Sequence, residues 1–314
     1  MKMLARCALP AALAAALAAP PARAQQNPGL ATRPSGFTLD GTNAPAEQPI
    51  DLTRPNPQSA VRSTSSEELF FDAAMRGEAW AQTKLGKVYL GSSNDEEQQR
   101  KGIELLQMAA AQKDAEALYL LAKTIAAGLG AQPSNIAAME KLQEAAELGH
   151  AEAQYELALM YAEGRGLPKD SELALHWGKK AAEQGNNSAK YSLALALLAR
   201  DQSHEFTLEA VSLLTRAAND GHRDALFFLA GAIAHGNYGL AKDEKKAAEM
   251  ALPFAQAGDA EFQFALATLY LKGESFGGYR DEGIKWLKKA ANNGQPQARQ
   301  MLEEFTEQKN SSHQ

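Results

Sequence analysis

The stretch Ala151-Glu152-Ala153-Gln154-Tyr155-Glu156-Leu157-Ala158-Leu159-Met160-Tyr161 decides the fold. Steps of three and four place Leu157, Ala158 and Tyr161 on one stripe that Gln154 opens, the spacing of an amphipathic helix with a face to bury. The small Ala158 lets a partner helix come close. Gly164 and Gly166 end this helix, and Asp170 or Ser171 offers a side-chain oxygen to cap the next. Residues 173–184 read as a second helix, which Gly185 stops by adopting the left-handed conformation. The unit is an antiparallel pair, helix A then helix B, and a pair this small cannot bury its own apolar faces.

The same pattern returns along the chain. Leu85, Leu121, Leu157, Leu193 and Leu229 stand 36 apart, Leu266 follows after 37, and Leu302 after 36 again. One extra residue in the loop over 235–242 accounts for the longer step. Gly77, Gly149, Gly185, Gly221, Gly258 and Gly294 keep the same rhythm, which only Lys113 breaks. Such a period predicts an all-α fold, an α-solenoid of stacked helix pairs. Six units and two terminal half units fill residues 65–308: a lone B helix over 68–76 at the start and a lone A helix over 296–308 at the end. Residues 309–314 read as a disordered tail.

Ahead of the repeats the composition changes twice. A positive start at Lys2 and Arg6, an apolar Ala-rich run to about Ala19, and Ala22-Arg23-Ala24 together read as a secretory signal peptide over 1–24, cut after Ala24. The apolar run is too short to span a bilayer, and no later stretch is long enough. Arg6 beside Cys7 argues against a lipid anchor there. Cys7 is the only cysteine, so a cleaved chain has none, which excludes disulfides, thiolate metal sites and a cysteine nucleophile. Cleavage removes three cations and no acid, taking the formal charge from −6 to −9 and disfavouring nucleic acid and anionic membranes as partners. Residues 25–64 are rich in Pro, Gly, Thr, Asn and Gln, the composition of a disordered tether.

With these registers in agreement, the chain resembles the Sel-one-like repeats, relatives of the tetratricopeptide repeats. The third unit carries the match through residues 151–161, Gly164, Gly166, Asp170, Ala174, Trp177, Lys180, Ala181, Ala182 and Gly185. The sixth repeats it with Ala260, Gln263, Phe264, Leu266, Tyr270, Gly273, Asp281, Trp286, Lys289 and Gly294. The resemblance implies a right-handed superhelix and scaffold or adaptor work, with a protein or peptide partner held along the concave face. With the leader it implies a periplasmic or secreted protein of a Gram-negative bacterium, with its partner in the cell envelope. Several units depart from the pattern: Ile125 and Leu197 stand where Tyr161 does, Arg200 replaces a loop glycine, and Met250 takes the Trp position. Pro253 inside the fifth B helix predicts a kink.

No catalytic set emerges, so the chain is expected not to be an enzyme. The histidines are scattered without metal-ligand spacing, and no metal or cofactor is expected. His150 and His222 follow terminating glycines, where a turn role suffices. The match Gly273-Glu274-Ser275-Phe276-Gly277 lies between two helices, without the strand a nucleophile elbow requires. A protein that binds or hydrolyses peptidoglycan fragments is the alternative reading, resting on the export signal and on what some relatives suggest. The candidate recognition feature is a recurring aromatic on helix A: Tyr119, Tyr155, Tyr191, Phe227 and Phe264, with Thr83 in the first unit. This position lies at the edge of the core stripe, so the rings either pack against the next unit or line a groove. Lys87, Lys123, Leu159, Leu195 and Leu198 would then form a groove floor, basic towards the N-terminus and apolar in the middle.

Overall fold

A computed structural model describes residues 64–92, 95–129, 134–200 and 204–311. The leader over 1–24, all but the last residue of the tether, and residues 312–314 lie outside the described residues. Within them are fourteen α-helices, one 3-10 turn (Glu274–Phe276) and no strand. A lone helix α1 (Thr64–Met75) precedes six A and B pairs: α2 (Ala79–Ser92) with α3 (Glu96–Ala111), α4 (Ala115–Ala127) with α5 (Asn135–Glu147), and α6 (Ala151–Glu163) with α7 (Ser171–Glu183). These are followed by α8 (Asn187–Arg200) with α9 (His204–Asn219), α10 (Arg223–His235) with α11 (Glu244–Gln256), α12 (Ala260–Lys272) with α13 (Arg280–Asn292), and a last helix α14 (Pro296–Ser311). The first helix starts four residues earlier than the sequence suggested, and the last runs three further.

The helices form an all-α solenoid of repeated pairs, divided into two compact units: α1–α7 in residues 64–184 and α8–α14 in residues 185–311. Inside each unit every helix packs on the one before it and the one after it. The core of the pairs is the stripe read from the sequence. Leu85, Leu157 and Leu266 are fully buried, as are Ala158 and Ala267. In the first pair the approach is backbone to backbone, where Gly86 and Gly102 face each other. A Cβ on Gly86 would stand 2.9 Å from the Gly102 carbonyl oxygen.

At six junctions two residues close a B helix just before the next A helix begins. At the α5–α6 junction, Gly149 takes φ +94 and donates to the Ala146 carbonyl at 3.1 Å, while the His150 N–H donates to the Ala145 carbonyl at 3.0 Å. This is a Schellman ending. His150 is at once the last residue of that motif and the N-cap of α6. The same paired bonds close the helix before Glu78, Asp114, His222, Asp259 and Gln295.

Two buried alanines eight residues apart, one on each side of the junction, let the helices touch: Ala73 and Ala81, Ala109 and Ala117, Ala145 and Ala153, Ala217 and Ala225, Ala290 and Ala298. The exception is α11–α12, where both become aromatic. Phe262, fully buried, stacks on Phe254 with centroids 4.7 Å apart. This is the fifth unit, whose departures the sequence flagged. Pro253 sits in the last turn of α11, which continues to Gln256. The pair has changed size on both sides at once, as close packing requires.

Lys113 is the residue that breaks the glycine rhythm, and it still takes the glycine conformation, with φ +66. A side chain there costs about 1–2 kcal/mol, of which the greater freedom of an unfolded glycine would return about 0.5–1 kcal/mol. Lys113 pairs with Glu144 across exposed surface, and Glu144 keeps Lys141 at 3.2 Å, so loss of that pair costs little. Lys113→Gly is therefore expected to stabilise the chain by about 0.5–1 kcal/mol. Thermal denaturation checks this, and a lowered midpoint would contradict the junction geometry.

Candidate functional site

The recurring aromatic position lies on helix A, one turn in from the cap, and in the first, second and fourth units the structure ties it to the cap of the following A helix. Tyr119 stacks on the His150 ring with centroids 4.5 Å apart and planes at 21°, and its hydroxyl donates to Glu156 at 2.9 Å. Burial first, and then the Glu156 carboxylate, push this phenol well above its ordinary pKa. Tyr191 lies against His222 at 5.2 Å, and the Thr83 hydroxyl donates to the capping Asp114 at 3.1 Å. Phe227 meets Phe262 edge-on at 5.1 Å, and Phe264 packs beside the buried cluster around Phe262 and Leu266. Tyr119, Tyr155, Phe227 and Phe264 remain half-buried, whereas Tyr191 is only 5% exposed.

The expected groove floor is built differently. Leu159 and Leu198 are buried at 5% and 7% exposure and Leu195 is half-buried, while Lys87 and Lys123 are exposed. Leucine at the edge of the stripe turns inward, whereas lysine there carries its charge out to water. The basic end is also largely offset. Lys84 and Lys87 reach Glu116 on the next A helix at 2.8 and 3.4 Å, and Lys123 reaches Glu156 at 3.2 Å. The A-helix surface of residues 79–163 is thus a row of half-buried rings flanked by paired charges.

A second recurrent feature was not singled out from the sequence. Gln82, Gln154 and Gln263, each at most 3% exposed, occupy one position of helix A and make the same two bonds. The amide nitrogen donates back to the last turn of the preceding B helix: to Ala74 at 3.3 Å, Ala146 at 3.0 Å and Ala255 at 2.9 Å. The amide oxygen accepts from the residue that ends the unit's own B helix: Gln112 at 2.9 Å, Gln184 at 2.6 Å and Asn293 at 2.9 Å. One side chain so clamps three helices. In the fourth unit the pair becomes ionic, Lys190 with Asp220 at 2.8 Å. In the second and fifth it is apolar on both sides, Leu118 with Leu148 and Leu226 with Ala257. The two positions are polar together or apolar together, a signal readable in the sequence at a spacing of 30 or 31 residues.

The remaining candidates resolve into local structure. Residues 274–276 form a 3-10 turn after α12, and the Ser275 N–H donates to Glu244 at 2.7 Å. That bond, with others from the same turn and from Lys242, holds the Glu244 carboxyl down to about 2. The segment is no strand-to-helix elbow. An open cleft of about 490 Å³ lies between His204 and Thr207 of α9 and the loop residues Asn237, Tyr238 and Gly239. Among the described residues no group of three or more His, Asp, Glu or Cys is placed to hold a metal ion.

Helix pairs joined cap to cap and clamped by a buried amide define an α-helical repeat solenoid. The family model of the Sel1 repeat matches residues 81–114, 115–150, 151–186, 223–259 and 260–295, more than half of the sequence, and the chain belongs to this family. Residues 187–222, where Leu197 and Arg200 depart from the pattern, are not among the matches, although α8 and α9 form a pair there. Among solved structures, the chain is similar to a protective antigen of uropathogenic Escherichia coli that displays an SLR fold. The two are 28% identical over 77% of this chain and 52% of the antigen, with a TM-score of 0.63. This chain thus spans about half the length of the antigen. A Sel1 repeat protein from Oxalobacter formigenes is 24% identical over 80% of this chain and 76% of its own, with a TM-score of 0.50, and shares the fold. No curated protein matches the chain.

The clamp generates a double-mutant test. Gln154→Leu leaves the Gln184 amide without its acceptor and the Ala146 carbonyl with one donor fewer, and is expected to cost about 1 kcal/mol. Adding Gln184→Leu recreates the apolar pair of the second unit, so a coupling of about 0.5–1 kcal/mol between the two sites is expected from denaturation of the four proteins. Strict additivity would contradict the clamp.

Proposed function

We propose that this chain is an exported scaffold that holds a protein or peptide partner in the cell envelope against the A-helix rings of its repeats. The aromatic row carries this reading. Tyr119, Tyr155, Phe227 and Phe264 recur at one repeat position and stay half-exposed, and contacts made to Tyr119 and Phe227 by the next repeat hold those rings in place. Aromatics fixed in this way offer apolar contact at little further cost in side-chain entropy. The flanking Lys and Glu pairs supply a polar rim. Since Leu159 and Leu198 are buried, apolar contact falls to the rings, and the partner that suits them is a segment with spaced apolar side chains and mixed charge. Membership of the Sel1 repeat family supports protein binding, because stacked repeats present extended surfaces. The reading of residues 1–24 as a cleaved leader supports export.

A photo-crosslinker placed in turn at Tyr119, Tyr155, Phe227 and Phe264 of the full chain in living cells tests the proposal. The same discrete species is expected at several of these positions, and none at the exposed B-helix control Lys179, with a mature chain that begins at Gln25. Equal trapping at Lys179, or none at any ring with the fold intact, would remove the row as the binding surface.

A further inference from the structure

Five A helices are capped at their first turn by a side chain: Asp114, His150, Asn186, His222 and Asp259. Two are imidazoles. The Ala153 N–H donates to His150 Nδ1 at 3.3 Å, and the Ala225 N–H donates to His222 Nδ1 at 3.2 Å. A backbone N–H can only donate, so each Nδ1 must present a lone pair and each ring must be neutral. We infer that His150 and His222 form a pH-sensitive pair of junctions, one in each unit: neutral, they cap α6 and α10, and protonated on acidification they release both caps. An imidazolium has no lone pair at Nδ1, and it would place a positive charge at the positive end of the helix.

Charges around each ring set the direction. Burial lowers both imidazoles below their ordinary value, and neighbouring carboxylates oppose this: Glu152, Glu116, Asp114 and Glu156 around His150, and Asp224 around His222. Glu152 stands 3.6 Å from His150 Nδ1. Glu116 and Glu156 are already engaged by Lys84, Lys87 and Lys123, while Asp114 caps α4. At His222, Asp224 pairs with Arg223, which also holds Asp259 and Glu261, and the Lys190 and Asp220 pair ends the preceding helix. Because the folded-state values lie below the unfolded value of about 6.5, the stabilisation is complete above that pH. It is lost as pH falls through the folded values. Tyr119 and Tyr191 lie on these two rings, so acid also loosens the candidate surface. That consequence rests on the proposed function, whereas the capping switch does not.

The chain itself supplies the control. Asn186 caps α8 at the equivalent position, accepting from the Ala189 N–H at 2.8 Å, so His150→Asn with His222→Asn keeps a cap that does not titrate. Between pH 7.5 and 5.5 the wild-type midpoint is expected to fall by about 2–4 °C per cap relative to the double variant. Parallel profiles would overturn the inference. NMR titration of the two rings in the wild-type chain decides independently of whether the variant folds: midpoints below about 6.5 support the switch, and midpoints at or above it refute it. Binding plays no part in either readout, so this test can fail without touching the proposed function.

Discussion

One dipeptide ends each B helix and starts the next A helix, and the repeat depends on it. Its first residue must take a left-handed backbone so that the orphan carbonyls of the finished helix find donors. At five junctions its second presents an acceptor to the open N–H groups of the helix to come. With two helix ends satisfied by two residues, no loop is needed between units. The flanking alanines can then meet at the closest separation that side chains allow. The 36-residue rhythm follows from that economy, and so does the tolerance of Asp, Asn or His at the cap, since each supplies an acceptor.

A consequence is that every element is fixed by its neighbours and little else. The buried Gln154 illustrates this, as it bonds the helix before, belongs to the helix between, and accepts from the end of the helix after. Where the fifth unit substitutes Phe for Ala at Phe254, the partner position 262 changes as well. Paired substitution across a contact, inside one chain, is what close packing and satisfied polar groups require of sequentially stacked units.

The period, the leucine stripe and the terminating glycines were legible in the sequence because each acts through local geometry: 100° per residue for Leu157, and a positive φ for Gly185. Pro253 and Met250 marked the fifth unit as a departure, while the paired change at Phe254 and Phe262 was not read. The clamp was not read, because Gln154 reads in the sequence only as the residue that opens the stripe. Its meaning appears only when it is set beside Gln184, 30 residues on. His150 and His222 were read as turn residues. The capping role needs the direction of Nδ1, which sequence does not carry. The leucines at 159 and 198 were assigned outward because a position on the boundary of a helical face has no fixed side; the residue's own polarity decides it, inward for Leu159 and outward for Lys123. The aromatic row was located correctly on helix A, and its contact with the following cap belongs to tertiary packing.

Native-state hydrogen exchange on Leu157→Ala measures this neighbour-by-neighbour construction most directly. Leu157 is fully buried in the pair α6 and α7, and its truncation should cost about 2–5 kcal/mol. If stability is built from units and their contacts, amides of α4–α7 lose protection while those of α12–α14 keep theirs. Uniform loss across all helices, or no loss anywhere, would contradict the account.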